Sequence, residues 1–340
     1  MKELGVGIIG SGWVAGSHMQ AFEANPHTEV RAIVSRDKER ATARAAELKL
    51  AHCKAYDHLE EMLASPEIHI VSIATPHHLH VPQGVAGAKA GKHLMLEKPV
   101  AIDLAGLREL QAEVQAAKVK TIVCFVLRWN PLFETIKALL ADGVIGPLFY
   151  GEVDYFHGIG PWYAQYAWNI KKSVGASSLL TAGCHAVDGL RWFMGKRAVE
   201  VSAYAAFSPH NPLRYEYEPT SVTLVKFEDG TLGKVASSIE CVQPYVFNIN
   251  LLGEQGTIRN NQVFSRRWVG QKGWATIPTI LPDSGDVSHH PFKAQVNHFV
   301  DCILTNRHSH CDLEDAVHTH EICLASEISA REQRPVSLPL

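Results

Sequence analysis

The sequence predicts two domains. The first is an α/β half over residues 1–125, a parallel sheet covered by helices on both faces. The second is an α+β half over residues 126–340, with a mainly antiparallel sheet. Three observations carry this. Strand-like and helix-like segments alternate up to residue 125, as βαβ units do. Beyond Asn130-Pro131 the strands come in runs joined by short turns, as in an antiparallel sheet. A length of 340 residues means two domains, or one large one.

The elements of the first half follow in order. Residues 6–9 are apolar and β-branched, hence strand; 14–24 are helix-compatible; 30–34 are strand again. Residues 38–48, rich in Ala, Glu and Arg, read as helix. A buried-type strand over 68–74 stops at Thr75-Pro76, and a helix over 81–90 is broken by Gly91. A short strand over 93–97 ends at Lys98-Pro99. Asp103 N-caps a helix over 104–117, and 121–127 form a further strand.

In the second half a helix over 132–141 leads to a strand over 149–155. Strands over 199–207, 222–227 and 232–239 follow, the last two joined by the hairpin residues Glu228-Asp229-Gly230. Strands 246–252 and 257–259 flank the turn Gly253-Glu254-Gln255-Gly256. Residues 292–304 and 315–327 return to helix, 335–340 form an extended tail, and 282–291 are the longest expected loop.

Composition narrows the function. With 32 basic and 35 acidic residues the net charge is −3, which excludes the broad basic field of a nucleic-acid binder. No apolar run approaches the ~18 residues of a membrane span. The strand-like start at Leu4 leaves no room for a leader peptide, so a cytoplasmic protein is expected. Seven scattered cysteines without a C-x-x-C pair argue for reduced thiols. Histidines cluster at His77, His78 and His80, at His289 and His290, and in the pairs His308/His310 and His318/His320. None has zinc-site spacing, and no required metal is expected.

Two overlapping patterns fit G-x-G-x-x-G/A. Gly5-x-Gly7-x-x-Gly10 lies inside the strand, where no phosphate approaches. Gly10-x-Gly12-x-x-Ala15 follows the strand and opens a helix, the context that dinucleotide chemistry needs. Gly10 permits the tight turn, Gly12 admits a pyrophosphate, Ala15 lets helix and sheet close together, and Trp13 sits in the turn. Ser35 lies 23 residues beyond Gly12, near the ~20 expected for the ribose-reading position. Ser35 repels no 2′-phosphate and Arg36 pairs with one, so NADP is favoured. Asp37, one residue on, keeps NAD open.

Ala74-Thr75-Pro76-x-x-x-His80, then Ala90-Gly91-Lys92-His93 and Glu97-Lys98-Pro99, resemble the glucose–fructose oxidoreductase/inositol dehydrogenase (Gfo/Idh/MocA) family along nearly the whole chain. The resemblance implies a Rossmann domain, an open-sheet domain, and NAD(P)-dependent chemistry on sugars, cyclitols or related polyols. It implies cofactor contacts from Ala74, Thr75, Pro76, His80 and Glu97, and an active-site role for Lys98. Independently, Lys98 ends a parallel strand, where open α/β sheets bind ligands, and an ammonium there stabilises charge developing on a substrate oxygen.

A second stretch, from Gly175 through Thr181, Gly183 and His185 to Asp188, is similar to the family's G-G-G-x-L-x-D-x-G-x-H-x-x-D. Thr181, His185 and Asp188 fall at i, i+4 and i+7, one face of a helix. His185 matches the family's catalytic histidine, and imidazole suits a base for a hydroxyl proton. Asp188 is spaced to orient it. Thr181 stands where family dehydrogenases often carry an acid, which leaves His185 as the obvious base. Cys184 is expected to be a small buried residue.

Trp162 and Trp168 suit the apolar faces of sugar rings, as do Trp129, Tyr163 and Tyr166; Arg128 and Lys171 suit hydroxyl or carboxylate contacts. Tyr155 and His157 share one strand face, pocket or subunit contact. A homo-oligomer, dimer or tetramer through the second sheet, acting on a small carbohydrate-like substrate, is expected. Two rivals stand beside the dehydrogenase: a glycosidase using NAD transiently, and a non-enzymatic sugar sensor, which would need neither Lys98 nor His185.

Overall fold

The structure, a computed structural model, describes residues 3–279 and 290–340. Most of the loop expected over 282–291, with His289, therefore lies outside the described residues. The chain divides into two compact units, residues 1–124 with 291–317, and residues 125–290 with 318–340.

In the first unit the elements are β1 (Leu4–Ile9), α1 (Trp13–Glu23), β2 (Thr28–Val34), α2 (Lys38–Glu47), β3 (Lys54–Tyr56), α3 (Leu59–Leu63), β4 (Ile70–Ile73), α4 (His80–Lys89), β5 (His93–Leu96), α5 (Leu104–Ala117) and β6 (Thr121–Val123). The six strands run parallel in the order β3-β2-β1-β4-β5-β6. That order reverses direction between β1 and β4, the switch point where doubly wound sheets bind dinucleotides. Local chemistry sets the ends. Asp103 caps α5 by accepting the Gly106 N–H at 2.7 Å, a contact worth about 1 kcal/mol. Leu107 and Leu110 of that helix are fully buried, each stabilising by roughly 1.5–3 kcal/mol.

Two expectations are corrected here. The strand expected over 121–127 ends at Val123, and a tight turn (Val126–Trp129) follows. The single cut at residue 125 also fails for 291–317, which return to the first unit. There Phe292 packs on His18 and Trp13 of α1, Gln295 Nε2 donates to Val123 O at 3.0 Å, and Val123 N–H donates to Cys311 O at 2.8 Å.

In the second unit α6 (Pro131–Ala141) is capped by Asn130, with proline at its first position. Then come β7 (Leu148–Phe156), the short α7 (Tyr166–Asn169) and α8 (Lys172–Gly175), a wide π turn (Leu179–Gly183) and α9 (Cys184–Met194). They are followed by β8 (Ala198–Ala206), β9 (Thr220–Phe227), β10 (Leu232–Ser238), β11 (Val246–Gly253), β12 (Gly256–Arg259), β13 (Gln262–Ser265) and β14 (Ala275–Thr276). After α10 (Phe292–Leu304) and α11 (Leu313–Glu332), the tail adds β15 (Val336–Ser337).

The nine-stranded sheet has the order β14-β13-β12-β11-β7-β10-β9-β8-β15, antiparallel except where β7 meets β10. Helix α9 lies on one face. Gly151 and Gly233 let it close in, since a Cβ at either would stand 2.7 Å from Met194 Sδ or Leu190 Cδ2. On the other face Tyr204, Val222, Leu224 and Leu232 are exposed. Among the described residues no helix is long and apolar enough to cross a membrane.

Candidate active site

In the first unit the glycine turn has the geometry its letters require. Gly10 has φ +116°, and a Cβ there would lie 2.3 Å from Ala74 O, so no other residue fits. At Gly12 a Cβ would meet nothing within 4 Å: the space over the start of α1 is open, and no acidic side chain occupies its first turn. A dinucleotide pyrophosphate fits that opening, against helix N–H groups. Ala15 is fully buried, and Trp13 is half exposed with its edge on Phe292. Gly5 and Gly7 lie within β1, where a Cβ would strike Glu67 O at 1.9 Å or Met62 Sδ at 2.8 Å; that pattern serves packing alone.

Ser35 follows β2, and its hydroxyl lies 3.2 Å from that of Ser11 in the glycine turn. Arg36 is exposed and makes no ion pair among the described residues. Asp37 instead caps α2, accepting the Arg40 N–H at 3.1 Å. Arg44 is a residue the sequence reading missed. Its guanidinium crosses Gly16, reaches Gly12 O at 3.4 Å and pairs with Glu47 at 2.6 Å. Only the i, i+3 spacing to Glu47 was visible in sequence, and that reads as a surface pair.

The segment after β4 is knitted by side chains. Thr75 Oγ1 donates to Gln83 Oε1 at 2.6 Å, and Pro76 leads into the turn His77–Leu79. His80 is an expected cofactor contact. It is buried, with Nδ1 2.6 Å from Pro99 O and Nε2 2.8 Å from Thr75 O, so it ties two loops together. Burial lowers its pKa, against the two carbonyls, which favour imidazolium.

Glu97 also turns inward. One oxygen pairs with His18 Nε2 at 3.2 Å, and the other accepts the Lys98 N–H at 3.2 Å. His18, fully buried on α1, is held in turn by Ser72 Oγ at 2.8 Å. Burial works to raise the Glu97 pKa, but the bond to His18 and the charges of His18 and Lys98 hold it below the usual carboxylate range. Lys98 stands half-buried beyond the carboxyl end of β5. His18, Glu97 and Cys124 bring a nitrogen, an oxygen and a sulfur within 4.8 Å of one another, the one such grouping among the described residues.

In the second unit the expected helical face of Thr181, His185 and Asp188 is corrected, because Leu179–Gly183 form a π turn and α9 starts only at Cys184. Thr181 is buried and structural. Its hydroxyl, expected at the substrate, lies 2.7 Å from Gly175 O and 2.9 Å from Asn169 Oδ1. Asp188 accepts from Arg128 through both oxygens, at 2.8 and 2.5 Å, and from Thr319 at 3.1 Å. The carboxylate expected to orient His185 is thus committed to a buried guanidinium, and Arg128, expected as a substrate contact, is stacked over Trp192 at 4.7 Å.

His185 itself is nearly buried, stacked on Tyr155 with ring centroids 6.2 Å apart and edged by Phe125. Tyr155 faces α9 and meets His157 Nδ1 through its hydroxyl at 3.3 Å; burial pushes its phenol well up, so it remains a proton donor. Tyr245 packs on both Tyr155 and His157. Cys184 is fully buried. Trp162 is 73 % exposed, and Trp168 is half-buried in α7. Lys171, expected as a substrate contact, pairs with Glu216 at 3.2 Å on the surface.

Comparisons with known proteins bear on family and fold. A family model described as the oxidoreductase family, NAD-binding Rossmann fold, matches residues 4–125, and the GFO/IDH/MocA C-terminal domain matches 133–259. An uncharacterized oxidoreductase of Synechocystis is 33% identical over 199 residues, covering 56% of this chain and 52% of its own, so the chain spans about half of that relative. The scyllo-inositol 2-dehydrogenase (NAD(+)) of Bacillus subtilis is 25% identical over 281 residues, 82% of this chain and 80% of its own. The levoglucosan dehydrogenase of Pseudarthrobacter phenanthrenivorans is 24% identical over 269 residues, 70% and 68% of the two chains. Two solved structures share the fold from end to end. An NAD binding oxidoreductase from Klebsiella pneumoniae has TM-score 0.87 at 24% identity, covering 99% and 100% of the two chains. A levoglucosan dehydrogenase in complex with NADH and L-sorbose has TM-score 0.88 at 22% identity, covering 100% of each. With both halves matched, the chain belongs to the Gfo/Idh/MocA family of NAD-binding oxidoreductases.

Proposed function

We propose that this enzyme interconverts a hydroxyl and a ketone on a sugar, cyclitol or related polyol, using NADP or NAD, with NADP preferred. The observation that supports it best is Lys98, placed beyond the carboxyl end of the parallel strand β5 and anchored through Glu97 and His18. A bound nicotinamide supplies the hydride acceptor. In this reading Lys98 holds the substrate oxygen and stabilises negative charge developing there. His185 receives the hydroxyl proton, and Tyr155 keeps its ring oriented by stacking. Asp188 acts at one remove, by neutralising Arg128. Ser35 and Arg36 favour NADP, because the nearest carboxylate is spent on capping α2. In the same reading a second copy of the chain covers the exposed face formed by Tyr204, Val222, Leu224 and Leu232, and the enzyme works in the cytoplasm.

The test is a panel of sugars, cyclitols and their acids with each nucleotide, followed at 340 nm. Reduced nucleotide should accumulate in bulk with at least one of them. Lys98→Ala should cut turnover more than about tenfold, a loss above ~1.4 kcal/mol, while the nucleotide still binds. Retained turnover in Lys98→Ala or His185→Asn would remove that residue from the mechanism. Bound nucleotide that never accumulates in reduced form would favour a transient-oxidation glycosidase.

A further inference from the structure

The second unit holds a cavity of about 1090 Å³ among the loops that follow β7, precede β9 and follow β10. Sites for drug-sized ligands run to roughly 300–1,000 Å³, so one sugar ring leaves most of this space unused. Its rim begins close to His185, since Tyr245 and His157 line it and both contact Tyr155, the ring stacked on His185.

Two features of the lining are built rather than incidental. The indole of Trp162 lies against Gly160, where a Cβ would fall 2.3 Å from the ring, yet the residue is 73 % exposed. The ring is backed at Gly160 and otherwise largely open, an aromatic surface for the apolar face of a sugar ring. Glu240, only 9% exposed, is fixed through Oε1, which accepts the Ser208 N–H and the Thr220 hydroxyl, each at 3.0 Å. Among the described residues Oε2 accepts no hydrogen bond, and Glu240 is the one Asp, Glu, Lys or Arg that lines the cavity. The cavity thus offers a positioned anionic acceptor and no lysine or arginine to hold a phosphate or carboxylate.

We infer that this cavity is a subsite for the second ring of a disaccharide-sized substrate, a ring that is neutral or carries an amino group. Trp162 stacks it, Glu240 accepts from its hydroxyl or ammonium, and phosphorylated or uronic rings are excluded. The inference rests on the oxidoreductase reading only for which ring is oxidised; the binding itself is measured without turnover.

Isothermal titration of the full chain near pH 7, where amino sugars are cationic and most histidine is neutral, tests it. The probes are cellobiose, lactose, the β-1,4-linked glucosamine dimer and glucuronosyl-β-1,4-glucose, with glucose as the single-ring control. At least one neutral or amino disaccharide should bind about tenfold or more tighter than glucose, and the glucuronosyl disaccharide no tighter. Trp162→Ala, at an exposed position, should abolish that advantage. Glu240→Gln should weaken the glucosamine dimer about tenfold and leave the neutral disaccharides within about threefold. Equal binding of glucose and every disaccharide, preference for the glucuronosyl disaccharide, or an unchanged Trp162→Ala variant would overturn the subsite. Such a failure alongside turnover of a monosaccharide leaves the oxidoreductase reading intact. The expected binding pattern with no nucleotide reduced by any sugar would sink that reading and keep the subsite.

Discussion

Asp188→Asn removes the negative charge from a pair whose side chains are 1% and 3% exposed. The amide keeps the shape of the carboxylate but has one acceptor oxygen where Arg128 Nε and Nη2 now use two. The guanidinium then stays buried without a counter-charge. Breaking a buried pair this way costs about 3–5 kcal/mol, and the ring of Trp192, 4.7 Å from Arg128, argues for the lower end. Near 3 kcal/mol, the melting temperature of a domain this size should fall by roughly 6–12 °C. Calorimetry on wild type, Asp188→Asn, Arg128→Met and the double variant Arg128→Met/Asp188→Leu is the assay. The double variant should be more stable than either single one, because it leaves no unpaired charge. A melting temperature unchanged in Asp188→Asn, with the acid limb of the rate profile displaced instead, would refute this reasoning and return Asp188 to the service of His185.

Three further outcomes follow from the same structure. Arg36→Ala should weaken NADP binding by about tenfold or more and leave NAD nearly unchanged, since only the 2′-phosphate offers Arg36 a charged partner; titration with both nucleotides checks this. Thr181→Asp should not restore a catalytic acid but destabilise the protein by several kcal/mol, because the new charge faces Gly175 O and Asn169 Oδ1 in a buried site; thermal melting decides. Glu327, pushed up to about 7 by burial, holds its proton in the folded state at pH values where the unfolded chain has lost it. Its contribution to stability should therefore drain away between pH 4.5 and 7 and stay flat above, by up to about 3 kcal/mol, and Glu327→Gln should remove that slope in urea unfolding.

What could be read from sequence was what a single residue dictates. Gly10 was legible because φ +116° admits little else, and Asp103 because a short acceptor before an apolar helix has one use. The strand β3 escaped notice: Lys54–Tyr56 is three residues long and too short to show a period. The π turn was hidden because its letters, Leu-Leu-Thr-Ala-Gly, fit an α-helix equally well, and with it went the shared face of Thr181, His185 and Asp188. Partners distant in sequence were hidden for another reason. Arg128 with Asp188, Glu97 with His18, and His80 with two carbonyls are products of packing, which no local spacing announces. The motif letters were visible, while the side chains that hold them were not.

The return of residues 291–317 to the first unit bears on how that unit survives as a folded object. β6 is the outermost strand of the parallel sheet, and its far side would expose backbone groups to any strand of matching hunger for hydrogen bonds. Cys311 O takes the Val123 N–H, Gln295 Nε2 covers Val123 O, and Leu313 N–H is drawn to Thr121 Oγ1. The covered strand opens the sequence Thr-Ile-Val-Cys-Phe-Val-Leu, with five β-branched or aromatic residues, no charge and no proline, the signature of an aggregation-prone segment. The returning chain is therefore a guard against aggregation as much as a part of the nucleotide-binding unit. A nucleotide-binding fragment cut at residue 124 would expose its own stickiest edge.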